Sequence, residues 1–325
     1  MSPGSRAENP FELRYNREIF IVVSIFSLTG SVAIIVTYFL WRDLQITSRK
    51  FLVYISFGDF WFVFPSLVIL LRREYKNHDL SCKLQSFIST TAIMWSFFWT
   101  TSLAIFLYFA LVKKRHDIAE KLMVPFHVLN WSMPLVFTVM AFFYGQLGYS
   151  HGKGTGGWCW IKVTQNNPTK SKTVLWMLVT GKLWEILSYV INSVLYFCIT
   201  QAIKKDVEER SHLMSTKSLQ VAEKGRGKLA FVPVIFVILR IWGTLRFLLY
   251  ACSLKPPSSL EHIFVTLQVI GDNAQGITNF VLFCLLTDKF KHECLRVLGI
   301  HRRENNSKTF GKFTKYDGRK LLVEN

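Results

Sequence analysis

Apolar residues gather into seven long runs along this chain, at 19–41, 51–71, 84–112, 122–143, 173–200, 229–254 and 262–287, with polar and charged residues between them. Each run is at least 21 residues long. About 20 helical residues cross a bilayer core of roughly 30 Å. In hydrocarbon every backbone N–H and C=O must find its partner internally, so each run is predicted to be a transmembrane helix. The fold class this implies is all-α, a seven-transmembrane helix bundle. An odd number of crossings puts the two termini on opposite sides.

Basic residues set the orientation. Lys and Arg number 24 in the loops after runs one, three and five plus the C-terminal segment, against 12 in the N-terminal segment and the other loops. Cytoplasmic loops carry the excess of positive charge, so the N-terminus is predicted outside. Residues 1–18 then form an extracellular tail, 19–300 the seven-transmembrane domain and 301–325 a basic cytoplasmic tail expected to be disordered. Residues 288–300 place Phe290, Leu295, Val297 and Leu298 among Lys and His. That pattern predicts a short amphipathic helix on the inner leaflet. The basic tail beyond it suits contact with anionic membrane lipid. Residues 1–18 hold no apolar stretch, so neither a cleavable leader nor a folded outer domain is expected. Any small ligand would be met by the helices and their outer loops.

A formal net charge of +18 raises nucleic-acid binding as a possibility. The excess lies in loops and no basic soluble domain carries it, so nucleic acid is not an expected partner. The 28-residue inner segment 201–228 reads as a polar loop with seven basic and four acidic residues.

Of six cysteines, Cys82 opens the third run on the outer side and Cys159 lies in the 29-residue outer loop 144–172. Both face an oxidising compartment in this topology, so a disulfide tying the loop to the third helix is predicted, with two free thiols as the alternative. Cys198, Cys252 and Cys284 read as packing residues within helices.

Six ionisable residues sit inside the runs: Asp59, Lys182, Glu185, Arg240, Arg246 and Asp272. A charge at the bilayer centre costs roughly 2.5–3.5 kcal/mol on insertion scales, so these residues are expected to face the bundle interior. Three are acidic and three basic, which lets the set be neutral as a whole. Lys182 and Glu185 are three apart and share a helix face. Two readings stay open for the set. One is a structural network that fixes helix packing. The other is an outer-half pocket for an anionic or strongly polar ligand, with Lys182, Glu185 and Arg246 as anchors, Arg246 as the most exposed cation, and Ser89, Thr90, Trp95 and Trp99 as a wall. Asp59, Arg240, Asp272, Asn273 and Asn279 form a second candidate group, a central polar cluster able to act as a switch. His127 reads as a hydrogen-bonded interior histidine. Pro125 and Pro134 are expected to bend the fourth helix, and Pro233 to offer a hinge in the sixth.

Several stretches carry a family resemblance. Gly157-Trp158-Cys159-Trp160-Ile161 resembles the second outer loop of the cyclic-AMP-receptor-like group of G-protein-coupled receptors. Leu175-Trp176-Met177-Leu178-Val179-Thr180-Gly181-Lys182-Leu183-Trp184-Glu185 is similar to an orphan branch of such receptors in animals. Ser96-Phe97-Phe98-Trp99-Thr100 and Leu239-Arg240-Ile241-Trp242 agree with that branch, and the similarity runs from about residue 18 to 298. The chain departs from rhodopsin-like receptors. Its third helix ends Leu107-Tyr108-Phe109-Ala110-Leu111-Val112 with no Asp-Arg-Tyr, and the seventh run has neither Asn-Pro-x-x-Tyr nor a lysine.

The resemblance implies a plasma-membrane, multi-pass receptor that passes a signal from an extracellular ligand to a heterotrimeric G protein. Lys113, Lys114, Arg115, Lys204 and Lys205 on the inner loops are then candidate G-protein contacts. A seven-helix transporter or channel, using the buried charges as a substrate path, is the alternative. No cofactor, metal site or enzyme activity is expected, because no metal-ligand cluster or nucleophile with a paired base stands inside the runs.

Overall fold

The computed structural model describes residues 14–42, 45–72, 79–149, 158–163, 170–210, 216–285 and 290. Ten helices follow one another among them: α1 (Arg14–Leu40), α2 (Thr47–Arg72), α3 (Asp79–Leu107), α4 (His116–Lys121), α5 (Met123–Phe143), α6 (Lys170–Met177), α7 (Leu183–Arg210), α8 (Thr216–Ala251), α9 (Ser258–Asn273) and α10 (Gln275–Phe280). Six helical stretches among the described residues are long and apolar enough to cross a membrane. The seventh crossing is made by α9 and α10 together. This is a seven-transmembrane bundle.

Its side-chain pattern differs from that of a water-soluble bundle: apolar residues face outward as well as inward, and many polar ones are buried. Ser24, Ser27, Ser31, Asp59, Ser86, Ser96, Asn130 and Asn192 are buried. Phe26, Phe39, Val124, Phe143, Val194 and Phe197 are exposed. Lipid tails are as apolar as leucine, so apolar residues gain nothing by leaving them, whereas polar groups must find partners within the protein. Small hydroxyl residues serve both needs: they let helices approach closely, and they bond backward along their own helix, as Thr37 does to the Ala33 carbonyl at 2.6 Å.

α3 is the central post. It packs against α2, α5 and α7 and against both strands of a short antiparallel pair, β1 (Leu147–Gly148) and β2 (Trp160–Ile161). That pair, in the outer loop, is a small exception to the all-α expectation.

Three further expectations change. Residues 201–228 are largely helical rather than a loop, because α7 runs to Arg210 and α8 starts at Thr216. The i,i+4 pairs Lys204–Glu208 and Lys205–Glu209, at 3.8 and 3.7 Å, suit a solvated helix extension. The seventh run is not one continuous helix but breaks at Ala274. Just before the break the Asn273 amide donates to the Val269 carbonyl at 2.8 Å, a side-chain bond that competes with the helix ladder. Finally, Cys252 is exposed in the turn after α8, whereas Cys284 is buried and Cys198 intermediate.

The expected amphipathic helix 288–300 and the segments 1–13 and 301–325 lie outside the described residues, save Phe290. That ring is buried and stands 5.3 Å from Trp41 and 5.6 Å from Phe280.

One close approach decides where the buried charges meet. A Cβ on Gly271 would sit 1.8 Å from the Leu239 carbonyl oxygen, so only glycine lets α9 lie against α8 there. The residues that follow each of these in sequence are Asp272 and Arg240. Gly271→Ala is expected to drive the two helices apart, at a cost at the upper end of the ~1–3 kcal/mol typical of overpacking. A thermal-melting measurement on the purified, lipid-reconstituted chain checks this, and an unchanged midpoint would contradict it.

Candidate ligand cleft

Under the outer loop the bundle holds a cleft between α2, α3, α7, α8 and α9, with roughly 470 Å³ of non-atom space, open solvent included. The loop is sewn to α3. Cys82 and Cys159 form a disulfide with Cα atoms 5.5 Å apart. The Cys159 N–H donates to Gln85 Oε1 at 3.2 Å, and the Ser86 hydroxyl donates to the Trp160 carbonyl at 2.5 Å. Gln85 in turn donates to Ser66 on α2 at 2.8 Å. These bonds push Trp158 down into the bundle, where its ring lies 6.4 Å from Phe20 and 6.2 Å from Phe62. Trp160 packs on the other side, 3.1 Å from where a Cβ of Gly181 would be, at the kink that joins α6 to α7. The loop therefore roofs the cleft rather than lying over it loosely.

Charges line the floor. Lys182 Nζ is 2.5 Å from Glu185 Oε2, and both side chains are buried. The other Glu185 oxygen accepts the Tyr189 hydroxyl at 2.6 Å, and Tyr189 meets Thr244 at 3.2 Å. Asp272 accepts from the Gln268 amide at 3.1 Å and faces Arg240 Nη1 at 3.7 Å. The Arg240 guanidinium lies over the rings of Phe62 and Phe97, at 5.5 and 5.0 Å. Gly243 leaves the room for this meeting: a Cβ there would stand 2.9 Å from Gln268 Nε2, 3.2 Å from Lys182 Nζ and 3.3 Å from Asp272 Oδ2.

The six predicted intramembrane charges are all buried, but they fall into different places. Lys182, Glu185, Arg240 and Asp272 line the cleft, together with Ser89 and Thr90. Arg246 does not, and it is not the exposed cation expected of it. It is buried, donates to Gln268 Oε1 at 2.6 Å and faces Glu261 at 3.9 Å. Trp95 and Trp99 also lie away from the cleft. On α3 the residues facing it are 89, 90, 93 and 97, and helical periodicity turns 95 and 99 to another face. There Trp99 stacks with Tyr54 at 4.4 Å and His127 at 5.0 Å, while Trp95 donates to the Trp131 carbonyl at 3.2 Å. His127 bonds the Met123 carbonyl and the Tyr54 hydroxyl.

Asp59 sits in a separate polar knot, accepting from Ser96 at 2.7 Å and from Asn279 at 2.9 Å. Asn279 and Asp272 lie on either side of the break at Ala274, so one segment of chain holds both knots. Gln85, Trp158, Trp160 and Gln268 were missed as site residues by sequence reasoning. The two tryptophans flank a cysteine predicted to be tethered at the top of α3, and that adjacency was the available signal.

On the cytoplasmic side Lys113, Lys114, Arg115, Lys204 and Lys205 are exposed. Lys114 Nζ meets Asp206 at 3.0 Å, joining the inner turn after α3 to the end of α7. Its backbone φ of 53° is in the left-handed region. The Arg115 guanidinium, hydrogen-bonded to Asp117 at 3.2 Å, holds that carboxyl below the usual carboxylate range.

A family model described as the slime mold cyclic AMP receptor matches residues 8–171. The mouse protein named G-protein coupled receptor 157 is 32% identical over 285 residues, covering 85% of this chain and 83% of the mouse protein. Its human counterpart is 33% identical over 277 residues, with 83% and 80% covered. The chain belongs to the cyclic-AMP-receptor family of G-protein-coupled receptors. The crystal structure of squid rhodopsin superposes with a TM-score of 0.63 at 18% identity, covering 88% of this chain and 85% of that one, which shows a shared fold. A family member of this kind is a multi-pass membrane protein, typically of the plasma membrane.

In this receptor the Lys182–Glu185 pair gives a test of the network. Lys182→Met leaves a carboxylate buried without its partner and is expected to cost ~3–5 kcal/mol. Adding Glu185→Gln removes that charge while keeping an acceptor for Tyr189, and is expected to restore most of the loss. Thermal midpoints of the two variants check this. Equal destabilisation in both would show that the pair is not coupled.

Proposed function

We propose that this receptor carries an extracellular ligand signal to a heterotrimeric G protein from the plasma membrane. The ligand enters the cleft under the disulfide-tethered loop and favours one of two helix arrangements. α7 and α8 then shift at their cytoplasmic ends, and the G protein docks on the inner face formed by Lys113, Lys114, Arg115, Lys204 and Lys205. The observation that carries this reading is family membership with receptors along most of the chain. The cleft supports it, because its charges come from the fifth, sixth and seventh crossings, and a ligand touching them can bias how those helices sit. The basic inner surface suits an acidic partner.

Expression of the full chain in cells is expected to give a basal or evoked cyclic-AMP, calcium or inositol-phosphate response. That response should disappear when the responsible G-protein class is deleted. Silence in all three read-outs, with surface expression confirmed, would overturn the reading. Replacing Lys113, Lys114, Lys204 and Lys205 together by Gln is expected to reduce the response several-fold at equal surface expression. An undiminished response would move the G-protein contact elsewhere.

A further inference from the structure

Each buried cation of the network should have its donors satisfied, because an orphaned donor costs free energy comparable to a lost hydrogen bond. Lys182 has Glu185 at 2.5 Å, and Arg246 has Gln268 at 2.6 Å. Arg240 differs. It is 3% exposed and lines the cleft, yet its Nε and Nη2 have no hydrogen-bond partner among the described residues. Its remaining nitrogen, Nη1, is 3.7 Å from Asp272, close enough for charge attraction and too far for a hydrogen bond. Nε and Nη2 are the adjacent donors on one edge of the guanidinium, and that edge is the fork that grips two oxygens of a carboxylate or phosphate at once. Phe62 and Phe97 hold the guanidinium in place, which lowers the entropy lost when the fork is filled. Nearby, the Thr90 hydroxyl lines the same cleft, and neither it nor Asp272 Oδ1, the oxygen that faces Arg240, has a hydrogen bond among the described residues.

We infer that Arg240 is the anchor for an oxyanion group of the ligand, which takes the place of Asp272 as the partner of the guanidinium. The inference rests on the cleft being the ligand site and names the chemistry it selects. Arg240 is on α8 and Asp272 on α9, so an oxyanion bound in the fork loosens the one ion pair that joins those two helices in the cleft. A freed Asp272 can turn toward Lys182, whose ammonium stands with it around Gly243. A ligand that binds this way has differential affinity for the two helix arrangements, which is what moving their equilibrium requires.

The test uses the full chain in phosphatidylcholine nanodiscs, with inorganic phosphate as the probe and chloride at matched ionic strength as the reference. Phosphate is expected to raise the thermal midpoint by roughly 2–4 °C. The shift should be larger in Asp272→Asn, which removes the competing carboxylate, and absent in Arg240→Gln. Arg240→Lys keeps the charge that balances Asp272 but loses the fork, so it covers the case in which Arg240→Gln does not fold. It is expected to need several-fold more phosphate. Lys121→Gln, at the exposed end of α4, should respond like the unmodified chain. No shift over chloride, or a full shift in Arg240→Lys, would overturn the proposal.

Nanodiscs containing phosphatidic acid without added phosphate distinguish the source. An Arg240-dependent shift there assigns the oxyanion to a lipid headgroup, and a shift with dissolved phosphate alone assigns it to a soluble ligand. No G protein is present, so a phosphate response beside silent second messengers would sink the receptor reading and leave this one standing. The reverse outcome would sink this one alone.

Discussion

A charge removed from water must be neutralised nearby, and the rest of this structure is arranged around that requirement. The effective penalty is several kcal/mol per ion, and a bundle in lipid has no water at its flanks to soften it. Three acids and three bases meet inside this one, drawn from α2, α7, α8, α9 and the kink before α7. Their meeting depends on missing side chains as much as on present ones. Gly271 lets α9 lie on the α8 backbone, and Gly243 opens the space in which Lys182, Gln268 and Asp272 converge. The helices could pack in other ways without the charges. With them, an arrangement that separates Arg240 from Asp272 or Lys182 from Glu185 leaves a buried ion alone.

On the proposed reading, the same constraint gives the bundle a means of transmission. The seventh crossing carries Asp272 on one side of its break and Asn279 on the other, so the cleft and the Asp59 knot are read by a single short segment. At the break Ala274 keeps its bonds to Ile270 and from Thr278, while the Gly276 N–H donates to Ser27 Oγ on α1 at 3.0 Å. The two knots are thus linked by covalent chain and not by a long series of contacts. On the opposite side of the cleft, the disulfide and the bonds to Gln85 and Ser86 fix the loop roof to α3.

Much of the fold was legible because a bilayer permits few solutions. Seven apolar runs of sufficient length leave little besides seven helices, and loop charge orients them. Cys82 and Cys159 were predicted as partners because they share the oxidising side. What stayed hidden was whatever depends on which way a helix faces. Trp95 and Trp99 look like a cleft wall on paper, but their turn of α3 points to Tyr54, His127 and Trp131. With Glu185 neutralising Lys182, Arg246 is expected to be the most exposed cation, whereas Gln268, a residue with no charge to draw notice, holds it. The break at Ala274 was hidden in an apolar run because no proline marks it. The helical extensions of α7 and α8 into residues 201–228 were hidden because charge and helix are compatible outside the membrane.

The central claim is that charge pairing across the cleft sets the balance between two receptor arrangements that a G protein can tell apart. GTP-analogue loading onto purified heterotrimeric G protein, driven by the receptor in nanodiscs, reads that balance directly. With the unmodified chain and with Asp272→Asn compared at equal amounts of folded receptor, the account predicts faster nucleotide loading for the variant, because the pair joining α8 and α9 in the cleft is gone. Identical loading rates, for a G protein that the unmodified receptor does activate, would contradict it.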